Sequence, residues 1–141
     1  MPTPMLTIQP IIPAQTYPLR HQVLWPDKPF DYVKIPDDDA GQHFGAFQGE
    51  ELISVISLFV NPDGEARFRK FATHPAWQKR GMGTALLTHT IAAATALGAH
   101  SLWCDARQNA LAFYERFGMQ PEGEVFYKGP IPYVRLRLHL S

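Results

Sequence analysis

Hydrophobic and polar positions change rhythm along this chain, and each change marks an element. Leu6–Pro10 is a short apolar run that suits a first strand. Gln15–Trp25 sets Tyr17, Leu19, Val23 and Leu24 among polar residues and predicts a helix, with Pro18 fitting only near its first turn. Pro26–Asp39 carries Pro26, Pro29, Pro36 and the acidic run Asp37–Asp39. It reads as a surface loop, the kind of segment that often shapes a substrate mouth. Then come strand signals: His43–Gln48, a tight turn at Gly49-Glu50, and the Ile-, Val- and Leu-rich run Leu52–Val60. Asn61-Pro62-Asp63-Gly64 is a turn signal. Glu65–Thr73 alternates, with Ala66 and Phe68 on one face and Arg67, Arg69 and Phe71 on the other.

At His74-Pro75 the period switches. Met82, Leu86, Leu87, Ile91, Ala94 and Leu97 recur at helical spacing, and Gly98 stands where a C′ glycine belongs. Ser101–Ala106 reads as the next strand. Asn109 is placed to N-cap a helix that carries Leu111, Tyr114 and Phe117 and closes at Gly118. Glu122–Tyr127 and Tyr133–His139 finish as strands around Gly129-Pro130. The strand–helix–strand crossover in the middle makes its two strands parallel if they share a sheet. The expected fold class is α/β in the α+β sense, a mixed, mostly antiparallel sheet with helices on its faces.

Composition narrows the function classes. A chain of 141 residues, 45% hydrophobic and 18% charged, suits one ordered domain spanning 1–141. Thirteen basic and thirteen acidic residues give zero net charge, so no nucleic-acid partner is expected. The single cysteine, Cys104, excludes an internal disulfide and fits a reducing compartment. The start Met1–Thr7 does not resemble a signal peptide, and no apolar run is long enough to span a membrane. A cytoplasmic location is the expectation. Pro-rich Met1–Met5 reads as a frayed end.

The chemistry concentrates in Ala72–Leu87. A strand ends, a loop carries Gly81 and Gly83, and a long helix opens at once. The first N–H groups of a helix lack internal partners and sit at its positive end, which suits a phosphate. Glycine lets a diphosphate approach the backbone. Lys79 and Arg80 add charge, and the Thr84 hydroxyl adds a donor. The P-loop pattern is absent. The dinucleotide fingerprint fails because Leu86 occupies the third glycine position.

Gln78-x-x-Gly81-x-Gly83, preceded by Phe71-Ala72-Thr73-His74-Pro75, resembles the acetyl-coenzyme A loop of the GNAT superfamily of N-acetyltransferases. The stretch Asn109–Met119, with Phe113-Tyr114-Glu115-Arg116-Phe117-Gly118, resembles that family's second signature. The resemblance is sharp over Phe68–Met119 and rests on element order before it. It implies a GNAT-like sheet with helices on both faces, and acetyl-CoA as acetyl donor. It implies that the backbone of Phe71, Ala72 and Thr73 pairs with the pantetheine arm. The loop Gln78–Thr84 (Gln78, Lys79, Arg80, Gly81, Met82, Gly83, Thr84) would bind the cofactor, its amides from Lys79 onward holding the pyrophosphate. Asn109 would touch the pantetheine or the phosphate side, and Tyr114 would stand near the sulfur as the catalytic acid. The family's strands around Phe71–Thr73 and Ser101–Ala106 splay apart, which no pattern in this sequence reveals.

Acetyl transfer needs a neutral amine, a donor for the developing oxyanion, and a sink for the amine proton. A backbone N–H near Phe71–Thr73 is a candidate oxyanion donor. Glu65 and Asp105 are candidate bases, though both read more simply as strand carboxylates. His74 reads as a turn residue and Cys104 as core, so direct transfer is expected without an acyl-cysteine and without a metal. The acceptor is a small-molecule or peptide amine. The aromatic C-terminal strands suit pairing into a homodimer. Two alternatives stay open: an acyl-CoA sensor without turnover, and an interaction domain whose glycine loop is incidental.

Overall fold

Seven strands form one sheet in the order β1-β2-β3-β4-β5-β7-β6 in a computed structural model that describes residues 6–140. The frayed end expected at Met1–Met5 lies outside the described residues. The strands are β1 (Leu6–Ile11), β2 (Gln42–Gln48), β3 (Glu51–Val60), β4 (Glu65–Thr73), β5 (Ser101–Arg107), β6 (Gln120–Lys128) and β7 (Ile131–His139). All neighbours pair antiparallel except β4 and β5, which are parallel as the crossover requires. The crossover is α2 (Met82–Ala96), closed by Gly98 at φ 87°. Leu86, Leu87, Thr90 and Ala94 form its buried stripe. They pack on Phe44, Ile56, Leu58, Phe68, Leu102 and Leu136 of the sheet.

The opposite face is covered by α1 (Pro13–Leu19) and the turn that follows. The helix begins at Pro13, two residues before the predicted start, so Pro18 falls inside it rather than in its first turn. Proline there removes one helical hydrogen bond and crowds the preceding turn. The chain then widens into a π-helical turn, Arg20–Leu24. Arg20 is completely buried. It donates to both carboxylate oxygens of Asp38, at 2.9 and 3.0 Å, to the Val33 carbonyl at 3.0 Å and to Ser57 Oγ at 2.8 Å. His43 bridges Ser57 Oγ and the Asp38 carbonyl at 2.7 Å each. Pro26–Asp39 lies at the surface as expected, with Val33 and Asp38 buried beneath it. The segment contains two short 3-10 turns, Phe30–Val33 and Asp38–Ala40, and is bolted to the sheet through Asp38.

Candidate functional site

β4 and β5 pair only over Glu65–Arg67 and Ser101–Trp103. Beyond that point β4 runs on to Thr73 and β5 to Arg107 without a ladder between them. A fork opens in the middle of the sheet, and the edge of β4 that faces it has no strand partner beyond Arg67 among the described residues.

A bulge shapes the upper half of β4. Ser57 pairs with Arg69 but Val55 pairs with Ala72, so β4 carries one extra residue there, and Lys70 takes φ 55°. The bulge reverses the alternation. Phe71 was predicted on the face of Arg67 and Arg69. It lies instead on the face of Phe68, with ring centroids 6.3 Å apart, while Ala72 turns to Leu19 and Val55. An extra residue in a strand shifts every later side chain to the other face, and alternation alone cannot register it.

The glycine loop sits directly above this edge. The carbonyl of Ile53 accepts from His74 N, and His74 Nδ1 accepts from Ala76 N, so His74 acts as a turn residue. Gln78 donates its side-chain amide to the Thr73 carbonyl at 3.0 Å, tying the loop back to the end of β4. Lys79 has φ 62° and Gly81, the N-cap of α2, has φ 84°. The first helical bond is Ala85 N to Gly81 O, and no side chain among the described residues caps the helix. The amides of the first turn therefore point outward at the positive end of a 15-residue helix. Lys79, Arg80 and Thr84 are exposed around it.

The two glycines do different things. A Cβ on Gly81 would meet nothing within 4 Å. A Cβ on Gly83 would meet the Phe71 ring at 3.3 Å and the Phe113 ring and Thr73 Oγ1 at 3.7 Å. Gly83 was read as clearing a path for a diphosphate. Its own Cβ direction points instead at packed side chains, so it first allows α2 to start tightly against β4.

The second signature folds as a 3-10 turn, Gln108–Ala110, leading into α3 (Leu111–Glu115). The N-cap falls on Ala110, not Asn109. Asn109 instead lies exposed in the 3-10 turn at the end of β5. The turn starts the helix one residue later than the cap rule placed it. Phe113 packs on Phe71, Tyr114 and Phe117 at 5.1–6.1 Å. Tyr114 lies 5.9 Å from the Phe68 ring. Its hydroxyl forms no hydrogen bond among the described residues, and burial, reinforced by Cys104, pushes its pKa far above the usual phenol value. Cys104 is 2% exposed, and burial pushes its thiol up to about 12.

The candidate bases are occupied. Asp105 lies between Arg67 at 3.2 Å and Arg135 at 2.9 Å, and Glu65 is 2.7 Å from Arg137. Two features escaped the sequence reading. One is the Arg20–Asp38–His43–Ser57 network. The other is a group of cations around Trp25 on the α1 face. The latter, Lys70 and Arg107 over the Trp25 ring, joins residues far apart in the sequence and follows no motif.

Comparison with known proteins adds to the geometry. The model of the acetyltransferase (GNAT) family matches residues 12–119. An uncharacterized N-acetyltransferase of Bacillus subtilis (strain 168), YitI, is 28% identical over 130 residues, 86% of this chain and 87% of that protein. A crystal structure of a Lactobacillus plantarum protein superposes with TM-score 0.86 at 23% identity, over 96% of this chain and 99% of that one. A Bacillus subtilis acetyltransferase solved in complex with CoA gives TM-score 0.77 at 22% identity, over 97% of this chain and 100% of that one. These structural likenesses speak for the fold.

Proposed function

The chain belongs to the acetyltransferase (GNAT) family, and from that premise we propose that it transfers the acetyl group of acetyl-CoA directly to a primary amine. The observation that carries the reading is the fork between β4 and β5, which opens beside an uncapped helix N-terminus. The residues fit the donor. The free edge of β4 at Phe71–Thr73 suits the amides of a pantetheine arm, added like a strand. The outward amides of Lys79–Thr84 suit the diphosphate, with open space at Gly81. Asn109, exposed at the tip of β5, is within the proposed donor site. Gln78 serves by holding the loop on Thr73.

Acetyl-CoA supplies an activated thioester. Tyr114, kept protonated by its burial, donates a hydrogen bond to the departing thiolate, which takes its proton from solvent. A backbone N–H of the β4 edge holds the developing oxyanion. The amine proton goes to solvent, because Glu65 and Asp105 are engaged by arginines. The proposal takes residues 1–141 as one cytoplasmic domain acting on a small-molecule or peptide amine, with a homodimer through the C-terminal strands as its assembly.

Acetyl-CoA at about 100 times its dissociation constant should stabilise the fold by roughly 2.7 kcal/mol. A thermal melt with and without millimolar acetyl-CoA reads this directly, and no shift would overturn the proposal. Stabilisation without transfer to any amine would leave an acyl-CoA sensor. Cys104→Ala should retain most of the activity, because a thiol with a pKa near 12 supplies almost no thiolate at neutral pH. Recovery of an acetylated Cys104 peptide after reaction would replace direct transfer with a covalent route.

A further inference from the structure

Across the fork from Tyr114, the α1 face of the sheet carries charge. Lys70 comes from the bulge of β4 and Arg107 from the end of β5. Both lie over the Trp25 ring, 5.7 and 5.9 Å from its centroid, so they approach the fork from its two arms. Lys128, at the end of β6, lies 4.5 Å from the ring centroid of Tyr133, the register partner of Arg107. Tyr32 of the Pro26–Asp39 segment packs on Trp25 at 5.2 Å and extends this wall.

The charges of this face do not balance. Asp105 is taken by Arg67 and Arg135, and Glu65 and Glu122 are taken by Arg137. Glu124 lies farther out on β6, where it lines a shallow recess with Arg135. Arg69, Lys70, Arg107 and Lys128 form no ion pair among the described residues. They are not all freely solvated. Burial pulls the Lys70 ammonium down to about 8, and Arg69, Arg20, Lys128 and Arg67 push it the same way. Lys128 is lowered by burial too, with Arg67, Arg69 and Arg135 adding to the effect and Asp105 opposing it. Like charges gathered at partly buried positions against one ring destabilise the free protein, and an anion beside them relieves both the repulsion and the missing counter-charge.

We propose that the acceptor amine carries a carboxylate, which Lys70 and Arg107 hold beside Trp25, supported by Arg69 and Lys128, while the amine faces the fork. A carboxylate is the anion that primary amines most commonly bear, and it needs only the donors present here. The proposal names the acceptor class and rests on the acetyltransferase reading. The cation group faces away from the glycine loop, so acceptor and donor enter from opposite sides of the sheet.

The test uses matched pairs: the common amino acids against their C-terminal amides, with CoA release followed at fixed acetyl-CoA. For at least one pair, kcat/KM should favour the acid by about tenfold or more, about 1.4 kcal/mol. Lys70→Gln and Arg69→Gln, each checked by its melting temperature, should pull that ratio toward one. A ratio at or below one for every pair, or activity confined to phosphorylated amines, would overturn the proposal. A second arm does not need turnover. Succinate should change the tryptophan fluorescence where succinamide does not, and the change should vanish in Trp25→Phe and weaken at least about tenfold in Lys70→Gln. Equal responses to succinate and succinamide would overturn the carboxylate site. Failure of acetyl-CoA to shift the melt would overturn the transferase reading instead, so the two failures are distinguishable.

Discussion

Asp38→Ala is expected to destabilise the protein by about 3–5 kcal/mol, because it leaves the fully buried Arg20 guanidinium without its carboxylate. A small domain has only about 5–15 kcal/mol of stability, so the loss would be a large share of the whole. Denaturant unfolding measures it through the midpoint at unchanged slope. The joint replacement Arg20→Met with Asp38→Leu should cost clearly less than Asp38→Ala alone, since no buried charge is then orphaned. The pH dependence has a definite sign. Burial by itself would raise the Asp38 carboxyl. The hydrogen bonds from Arg20 and the Ile35 amide, with the charges of Arg20 and His43, outweigh it and hold the pKa below the usual carboxylate range. The stabilisation is therefore complete above the unfolded pKa of about 3.9 and is lost as pH falls through the lower folded value. A single-mutant loss under about 1 kcal/mol would mean that water replaces the carboxylate, and that the loop is held by its other contacts.

The pattern of strands, crossover helix and turns was legible because each depends on local period and turn residues. Gly98, with left-handed φ, closes its helix where the sequence placed it, whereas α3 ends at Glu115 and leaves Phe117 and the left-handed Gly118 in the turn that follows. The parallel pair β4–β5 followed from chain order alone. What stayed hidden depends on contacts between distant residues. The fork is a place where pairing stops, and Arg69 through Thr73 look like any other strand. The bulge at Lys70 sits inside a regular alternation, so Phe71 was assigned to the wrong face. Asp38 lies in the acidic run Asp37–Asp39 and looks like a solvated loop residue, yet its partner Arg20 is eighteen positions away. The candidate site shows the same division. The glycine loop and Tyr114 are marked by compact motifs, whereas Trp25, Lys70, Arg107 and Lys128 meet only after the sheet has formed.

Tyr114→Phe should lower turnover by about 10²-fold while leaving acetyl-CoA stabilisation nearly unchanged. The substitution removes one oxygen. It keeps the ring that packs on Phe68 and Phe113, and the hydroxyl has no hydrogen bond among the described residues to lose, so the fold should be retained. The environment decides what that oxygen can do. Burial pushes the phenol well above its ordinary pKa of about 10, and Cys104 beside it adds to the shift. The group thus stays protonated throughout the neutral and alkaline range, where it donates a hydrogen bond to the departing thiolate, and it cannot serve as the base that receives the amine proton. Two results follow for the pH profile. The wild-type rate should rise with pH as the acceptor amine loses its proton, and it should show no alkaline fall from Tyr114 ionisation below about pH 10. In Tyr114→Phe the rise should persist at a lower plateau. Measured under single-turnover conditions, where product release cannot mask chemistry, wild-type turnover by the folded variant would return Tyr114 to the core and leave the departing sulfur to solvent.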